Sequence, residues 1–161
     1  MLKQKLHGSL RRPHAKARSS GAPLSRGVLE DLAGYHLRRA QIAVFQDFLA
    51  GMGALALTPG QFGVLALIQA NPGLSQSTLG RAMGVDRSTV VSVIDRLEGR
   101  GLVLRAPHTT DGRSYALRLS AQGMRRFAEA LKRVYRHERR VAHRLNAAER
   151  EKLLELLRRV G

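Results

Sequence analysis

Apolar residues recur at helical spacing through most of the chain and change to strand-like runs in one short region. Val90, Val93, Ile94 and Leu97 follow the i, i+3, i+4, i+7 spacing of one buried helical face. Further helical segments are predicted at 30–51, 59–70 and 121–160, the last with a break near Asn146. Short β-prone runs occur only at 102–105 and 115–119. The chain is therefore predicted to be mainly α-helical with a small β-hairpin.

Capping residues divide the middle of the chain into short helices. Ser75 precedes a segment that ends near Met83, and Gly84 supplies the left-handed residue that stops it. Asp86 then caps a second helix, which ends before Gly101. Upstream, the run Thr-Pro-Gly-Gln at 58–61 has the form of a capping box with proline at the first helical position. Two short helices joined by a tight turn are predicted.

The two β-prone runs are separated by an Asp111-Gly112 pair, which is among the strongest hairpin signals. A helix pair followed by such a hairpin is typical of a winged helix-turn-helix, a fold that usually binds DNA. Arg113 lies at the hairpin tip, where an arginine suits the negative potential of a narrow minor groove. A surface ion pair between Asp111 and Arg113 is the alternative interpretation.

Polar side chains cover the face of the second helix opposite its apolar residues. The first turn of a recognition helix contacts base edges, so hydrogen-bonding residues there are candidate DNA ligands. A merely solvated surface is the alternative. The candidate DNA-binding residues are Gln76, Ser77, Arg87, Ser88, Thr89, Ser92 and Arg96, with Asp111 and Arg113 from the hairpin.

Four motifs in this order resemble the MarR family of bacterial transcriptional regulators. The matching runs are 57–62, 85–91, 97–105 and the pair 111–113 with 117–123, and the resemblance covers roughly Asp31 to Val160. It implies an obligate homodimer in which the first and last helices intertwine, with one winged domain per subunit and an effector pocket near the junction. Asp86 stands where the family often has asparagine or serine, so we expect the contacts after it to differ.

The net charge of +16 on 161 residues indicates a polyanionic partner. A membrane surface is the competing polyanion, but the longest apolar stretch, 62–68, is far too short to cross a bilayer. No apolar segment follows the basic start as a secretory signal requires, so a cytoplasmic protein without membrane contact is expected. The chain has no cysteine, which excludes disulfides and thiol-based sensing.

Four regions are predicted along the chain. They are a disordered basic arm at 1–27, an N-terminal dimerisation helix at 28–57, a winged helix-turn-helix domain at 58–120 and C-terminal dimerisation helices at 121–161. The arm carries seven basic residues without an acidic one. Phosphate contact is its favoured role, and a solvating tail or a site for an anionic ligand are the alternatives.

The first long helix carries candidate effector ligands. His36 and Arg39 are unusual among its apolar residues, and they are taken with Tyr35 and Phe62 as candidate effector-binding residues. A structural histidine and a salt-bridged arginine are the alternative. The segment 34–41 is similar to the first helix of family members that respond to aromatic acids or their coenzyme A thioesters. Such a ligand fits the basic surface, because arginine pairs with phosphate and carboxylate groups.

Enzyme motifs are absent from the sequence. His137-Glu138 begins like a zinc-protease helix, but the next histidine is His143, six residues after the first and off the same helical face. No catalytic residue, cofactor or metal site is expected. The predicted function is a repressor that leaves a palindromic operator when a small molecule binds. The alternative is a nucleoid-like architectural protein that coats DNA with little sequence preference.

Overall fold

The computed structural model describes residues 24–107 and 115–160. It confirms a mainly helical fold with a small antiparallel sheet. The helices are α1 (Ala33–Met52), α2 (Pro59–Ala70), α3 (Gln76–Met83), α4 (Arg87–Gly99), α5 (Ala121–Val141) and α6 (Ala147–Val160), with 3-10 turns at Gly27–Asp31 and Gly53–Leu55. The strands are β1 (Leu74–Ser75), β2 (Val103–Pro107) and β3 (Tyr115–Leu119). The predicted hairpin turn at 111–113 and the arm through residue 23 lie outside the described residues.

Side-chain caps begin α2, α3 and α4 at the predicted positions. The Thr58 hydroxyl accepts a hydrogen bond from the Gln61 amide at 3.2 Å, and the Gln61 side chain accepts one from the Thr58 amide at 3.1 Å. This reciprocal pair is the predicted capping box. Ser75 caps α3 through the Thr78 amide at 3.2 Å, and Gly84 ends α3 with φ 64°.

The sheet has the order β1-β3-β2, and one of its strands was missed. Leu117 of β3 lies opposite Leu74 on one side and Arg105 on the other. Ser75 was predicted only as a helix cap, but it also belongs to β1, where it pairs with Ala116 of β3. Two residues are too few to show a strand pattern.

Three predicted boundaries were wrong, and one of them is the end of β2, which continues to Pro107 beyond the predicted Arg105. The first long helix was predicted to begin at Glu30, but it begins at Ala33. Glu30 belongs to a separate 3-10 turn, and Leu32, which is in extended conformation, separates that turn from the helix. Strand β2 begins at Val103 and not at Leu102, since Leu102 uses its amide to close the end of α4 on the Leu97 carbonyl at 2.9 Å.

The core lies between the end of α1, helices α2–α5 and the sheet. Its largest fully buried side chains are Met52, Leu55, Leu57, Leu65, Ile68, Leu79, Ile94, Leu97, Leu102, Val103 and Leu117. Helix α6 buries no residue in the single chain, and four of its leucines stay 41–43% exposed. In the described residues no single helix is long and apolar enough to cross a membrane, although α1 with its 3-10 turn and α2, bent by 69°, pass that test together.

Candidate functional site

Helices α3 and α4 present three predicted DNA ligands in one concave surface. Gln76 and Ser77 begin α3, Arg87 begins α4, and all three line the space between the two helices. Val85 closes the connecting turn by donating its amide to the Gly80 carbonyl at 3.2 Å. The turn therefore holds the start of α4 beside α3, which is the arrangement of a helix-turn-helix.

The exposed face of α4 forms a second open groove. Arg87, Ser88, Ser92 and Arg96 line it, and each of these side chains is exposed. The opposite face is buried through Val90, Ile94 and Leu97, each at most 2% exposed. Helix α4 is thus anchored by its apolar stripe, and it leaves a polar stripe free to contact a partner.

The cap of α4 engages two of the predicted ligands. Asp86 accepts hydrogen bonds from the Thr89 amide at 2.9 Å and the Thr89 hydroxyl at 2.7 Å, and Ser88 donates its hydroxyl to the same carboxylate. The hydrogen bonds from Ser88 and then Thr89 hold the pKa of Asp86 well below its usual range. Because both hydroxyl protons are donated to Asp86, Ser88 and Thr89 keep only acceptor capacity for a further hydrogen bond.

Arg105 in β2 binds two carboxylates of α4, an arrangement that sequence reasoning missed. Its Nη2 lies 2.5 Å from Asp95 Oδ1 and its Nη1 lies 2.7 Å from Glu98 Oε2. The Arg105 side chain is only 19% exposed, and its buried Nε has no hydrogen-bond acceptor among residues 24–107 and 115–160. Asp95 also lines the α4 groove, so Arg105 neutralises negative charge beside the predicted DNA ligands.

The wing is described only as far as its strands. Asp111 and Arg113 were predicted at its tip, and both lie outside the described residues. At its base, Ser120 donates its hydroxyl to the Gly101 carbonyl at 2.5 Å and its amide to the Leu102 carbonyl at 3.1 Å. These bonds attach the end of β3 to the residues that follow α4.

Three predicted effector ligands lie together on the first turns of α1. The Tyr35 and His36 rings meet edge to face with centroids 5.5 Å apart, and the Arg39 guanidinium lies 5.8 Å above the Tyr35 ring. His36 Nε2 forms a 2.8 Å hydrogen bond with the Glu30 carbonyl. His36 and Arg39 are exposed in the single chain.

Phe62 lies in a different environment from these three residues. Its ring stacks on Phe127 of α5 with centroids 5.6 Å apart and packs against Phe48 of α1 at 6.1 Å. Phe62 therefore belongs to an aromatic cluster where the first helix, the winged domain and the last helices meet. That location is the junction at which an effector pocket was expected.

A hydrogen-bonded trio around a buried histidine, beside this aromatic cluster, was also missed. His137 of α5, 2% exposed, places Nδ1 at 2.5 Å from Asp47 Oδ2, and Arg140 binds the same carboxylate with Nη2 at 2.8 Å and Nε at 3.0 Å. Hydrogen bonds from Arg140 and then His137 lower the pKa of Asp47 to about 2. The available signal was that Asp47 is the sole acidic residue of α1. The trio ties α1 to α5.

Among residues 24–107 and 115–160, no group of three histidine or acidic side chains is placed to hold a metal ion. What the site offers is a polar helical face beside an antiparallel wing, on a chain of strong positive charge. These features define a winged helix-turn-helix DNA-binding protein.

The chain belongs to the MarR family. The family model matches residues 57–115. A Thauera aromatica protein described as a transcriptional regulatory protein for the hcr operon is 41% identical over 145 residues, which are 89% of this chain and 87% of the relative. Family members are transcriptional regulators that form dimers, so membership confirms the predicted function class, the homodimer and the absence of an enzymatic role.

Solved structures of two regulators match the whole fold. The transcriptional repressor CouR bound to a 23-mer DNA duplex superposes with a TM-score of 0.82 at 41% identity, covering 86% of this chain and 99% of that one. CouR bound to p-coumaroyl-CoA superposes with a TM-score of 0.79 at 41% identity, covering 86% of this chain and 97% of that one. PcaV from Streptomyces coelicolor, in complex with its natural ligand, superposes with a TM-score of 0.77 at 34% identity, covering 87% of this chain and 96% of that one.

Proposed function

We propose that the protein is a transcriptional repressor that binds a palindromic operator as a homodimer and leaves it when an aromatic acid or its coenzyme A thioester binds. The observation that carries this proposal is the exposed polar face of α3 and α4, in a chain 41% identical to a repressor solved with DNA and with p-coumaroyl-CoA. A cytoplasmic location accords with this role.

Six of the nine candidate DNA ligands have a role that their chemistry suggests. Arg87 and Arg96 carry planar guanidinium groups suited to guanine edges or phosphates. Gln76 and Ser77, at the start of α3, suit phosphate contacts, because helix amides and the helix dipole favour anions there. Arg113 is proposed to enter the minor groove, with Asp111 holding its guanidinium.

The dimer is proposed to form through segments 28–57 and 121–161. In the single chain both segments leave apolar side chains exposed, and burial of apolar surface drives association. The exposed apolar residues are Leu37, Ile42, Phe45 and Leu49 on α1, and Leu153, Leu154, Leu156, Leu157 and Val160 on α6. Pairing would place the two α4 helices about 34–36 Å apart, one turn of DNA.

The effector is proposed to contact Tyr35, His36 and Arg39 with its anionic part and Phe62 with its aromatic part. The exposed Arg39 guanidinium is free to bind a carboxylate or a phosphate. Phe62 is already stacked on Phe127, so an aromatic ligand would extend this stack or displace one of its rings. The ligand releases the protein from DNA if it binds more tightly to the conformation that does not fit DNA.

Fluorescence anisotropy with a labelled duplex from the region upstream of the gene, and with a scrambled duplex, tests this function at two salt concentrations. We expect preference for the upstream duplex, and loss of binding with p-coumaroyl-CoA or p-coumarate but not with free coenzyme A. Arg39→Ala should blunt the ligand response and keep DNA binding, whereas Arg87→Ala should weaken DNA binding alone. Equal, steeply salt-dependent binding to both duplexes would instead support the architectural alternative.

A further inference from the structure

The junction between α1 and α2 is held by arginines from two other helices. After α1 ends at Met52, the chain makes the 3-10 turn Gly53–Leu55 and passes through Ala56, which adopts the left-handed conformation at φ 46°. A residue with a side chain is uncommon in that region, and it persists where its surroundings hold it. Leu55 and Leu57, each 1% exposed, anchor the junction in the core.

Arg100 connects this junction to the recognition helix. It is the C-terminal capping residue of α4, and its Nη2 donates to the Leu55 carbonyl at 2.7 Å while Nη1 donates to the Ala56 carbonyl at 3.0 Å. The end of a helix leaves carbonyl groups without intrahelical partners, and a guanidinium donates to two of them with a fixed geometry. The end of α4 is thereby tied to the end of the first helix across 44–45 residues of sequence.

Arg133 makes a parallel connection to the other side of the junction. Its Nη1 donates to the Met52 carbonyl at 2.7 Å, and its Nη2 pairs with Glu129 one turn earlier on α5 at 2.8 Å. Together with the Asp47, His137 and Arg140 trio, this bond joins α1 and α5 along much of their contact. The α1–α5 contact is therefore held at several points, and the two Arg100 bonds connect the same junction to the end of α4.

We propose that Arg100 is a positioning residue that couples the α1–α5 platform to the recognition helix α4. The inference rests on the proposed function, in which the effector binds on the platform and α4 contacts the operator. Because the two guanidinium bonds leave α4 little freedom relative to the junction, Arg100 sets the spacing of the two α4 helices in the dimer and transmits effector binding to it.

The test uses the full chain, which has no cysteine, so that a single spin label can be attached at Ser92→Cys on the exposed face of α4. Electron double resonance then measures the distance between the two labels of the DNA-free dimer. The variants are Arg100→Gln, which removes the charged pair of donor nitrogens, and Arg100→Lys, which keeps the charge but has a single donor nitrogen. Arg139→Gln on exposed α5 is the charge-matched control. Operator affinity is measured with the same Arg100 and Arg139 variants in a chain that keeps Ser92, because Ser92 is a predicted DNA ligand.

We expect one narrow distance distribution in the wild type and in the control, a broad one in Arg100→Gln and an intermediate one in Arg100→Lys. Operator affinity should fall at least about fivefold in Arg100→Gln, the lower end of usual allosteric couplings. With p-coumaroyl-CoA as the probe, the wild-type distance should shift, whereas Arg100→Gln should bind the probe by calorimetry without that shift. An equal shift in both would overturn the proposal.

The proposed effector class and the proposed role of Arg100 are tested by different outcomes. If the wild type does not bind p-coumaroyl-CoA, the proposed effector class is wrong, but the distance distributions without ligand still test Arg100. An Arg100→Gln distribution as narrow as that of the wild type, with unchanged operator affinity, overturns the positioning role. If Arg100→Gln does not fold, Arg100→Lys decides by the same two measurements.

Discussion

Gly123 is the position at which adding one methyl group should damage both the fold and the wing. It lies in the first turn of α5, and its amide donates to the Ser120 hydroxyl at 2.8 Å. A Cβ atom built on Gly123 would lie 1.9 Å from the Leu102 carbonyl oxygen, and real Cβ atoms essentially never approach closer than 3.0 Å. In Gly123→Ala the backbone at Leu102 must therefore move by about 1 Å or more.

The magnitude follows from what that movement breaks. Leu102 donates its amide to Leu97 and accepts a hydrogen bond from the Ser120 amide at 3.1 Å, so its displacement opens the base of the wing. Overpacking of a tight site costs about 1–3 kcal/mol, and a lost hydrogen bond costs about 0.5–1.5 kcal/mol. Alanine recovers at most about 1 kcal/mol of helix propensity. Gly123→Ala should destabilise the protein by about 2 kcal/mol.

Thermal unfolding and operator binding, at equal protein concentration because a dimer is measured, check this prediction. A loss of about 2 kcal/mol lowers the melting temperature by roughly 4–8 °C in a chain of this length. Operator affinity should also decrease at temperatures below the melting transition, because the wing loses its attachment. The matched control is Gly60→Ala in the first turn of α2, where an added Cβ meets nothing within 4 Å among the described residues outside the local helix backbone. Equal melting of Gly123→Ala and Gly60→Ala would refute the reasoning.

Two further predictions concern charged groups. Because the folded-state pKa of Asp47 is lowered to about 2 from 3.8, chiefly by Arg140, its ion pairs stabilise the fold above about pH 4 and that stability is lost as the pH falls toward 2. Unfolding measured from pH 5 to pH 2 should show a shallower acid dependence in Asp47→Asn, and identical slopes would contradict this. Arg105→Gln should weaken operator binding by leaving two carboxylates uncompensated beside the DNA surface. Adding Asp95→Asn and Glu98→Gln to Arg105→Gln should restore binding, and a failure to restore it would mean that Arg105 itself contacts DNA.

The elements of the winged domain followed from sequence because their signals are local. The capping box at 58–61, the Ser75 and Asp86 caps and the left-handed Gly84 each involve residues within about one helical turn of one another. The predicted DNA ligands on α3 and α4 were brought together for the same reason, since a face of a short helix is set by its periodicity. Whether those residues contact DNA stays a prediction.

The effector site was harder to predict, and its residues are only partly assembled. Tyr35, His36 and Arg39 lie together because they share two turns of α1, whereas Phe62 belongs to an aromatic cluster with Phe48 and Phe127. Periodicity shows which face of a helix is apolar but does not identify its neighbour. The assignment of all four as effector ligands stays a prediction.

The sequence alone determined the order of the helices, the caps that begin them, the pairing of β2 with β3 and the positive charge that points to a polyanion. Tertiary structure decided which distant side chains meet. Asp47 and His137 form a hydrogen bond although they are 90 residues apart in sequence, and Arg100 binds the Leu55 carbonyl across 45 residues. Strand β1 exists only because β3 lies beside it. The physical reason is that local patterns constrain backbone conformation and the burial of a face, while the partner of a charged group depends on how the helices pack around the core.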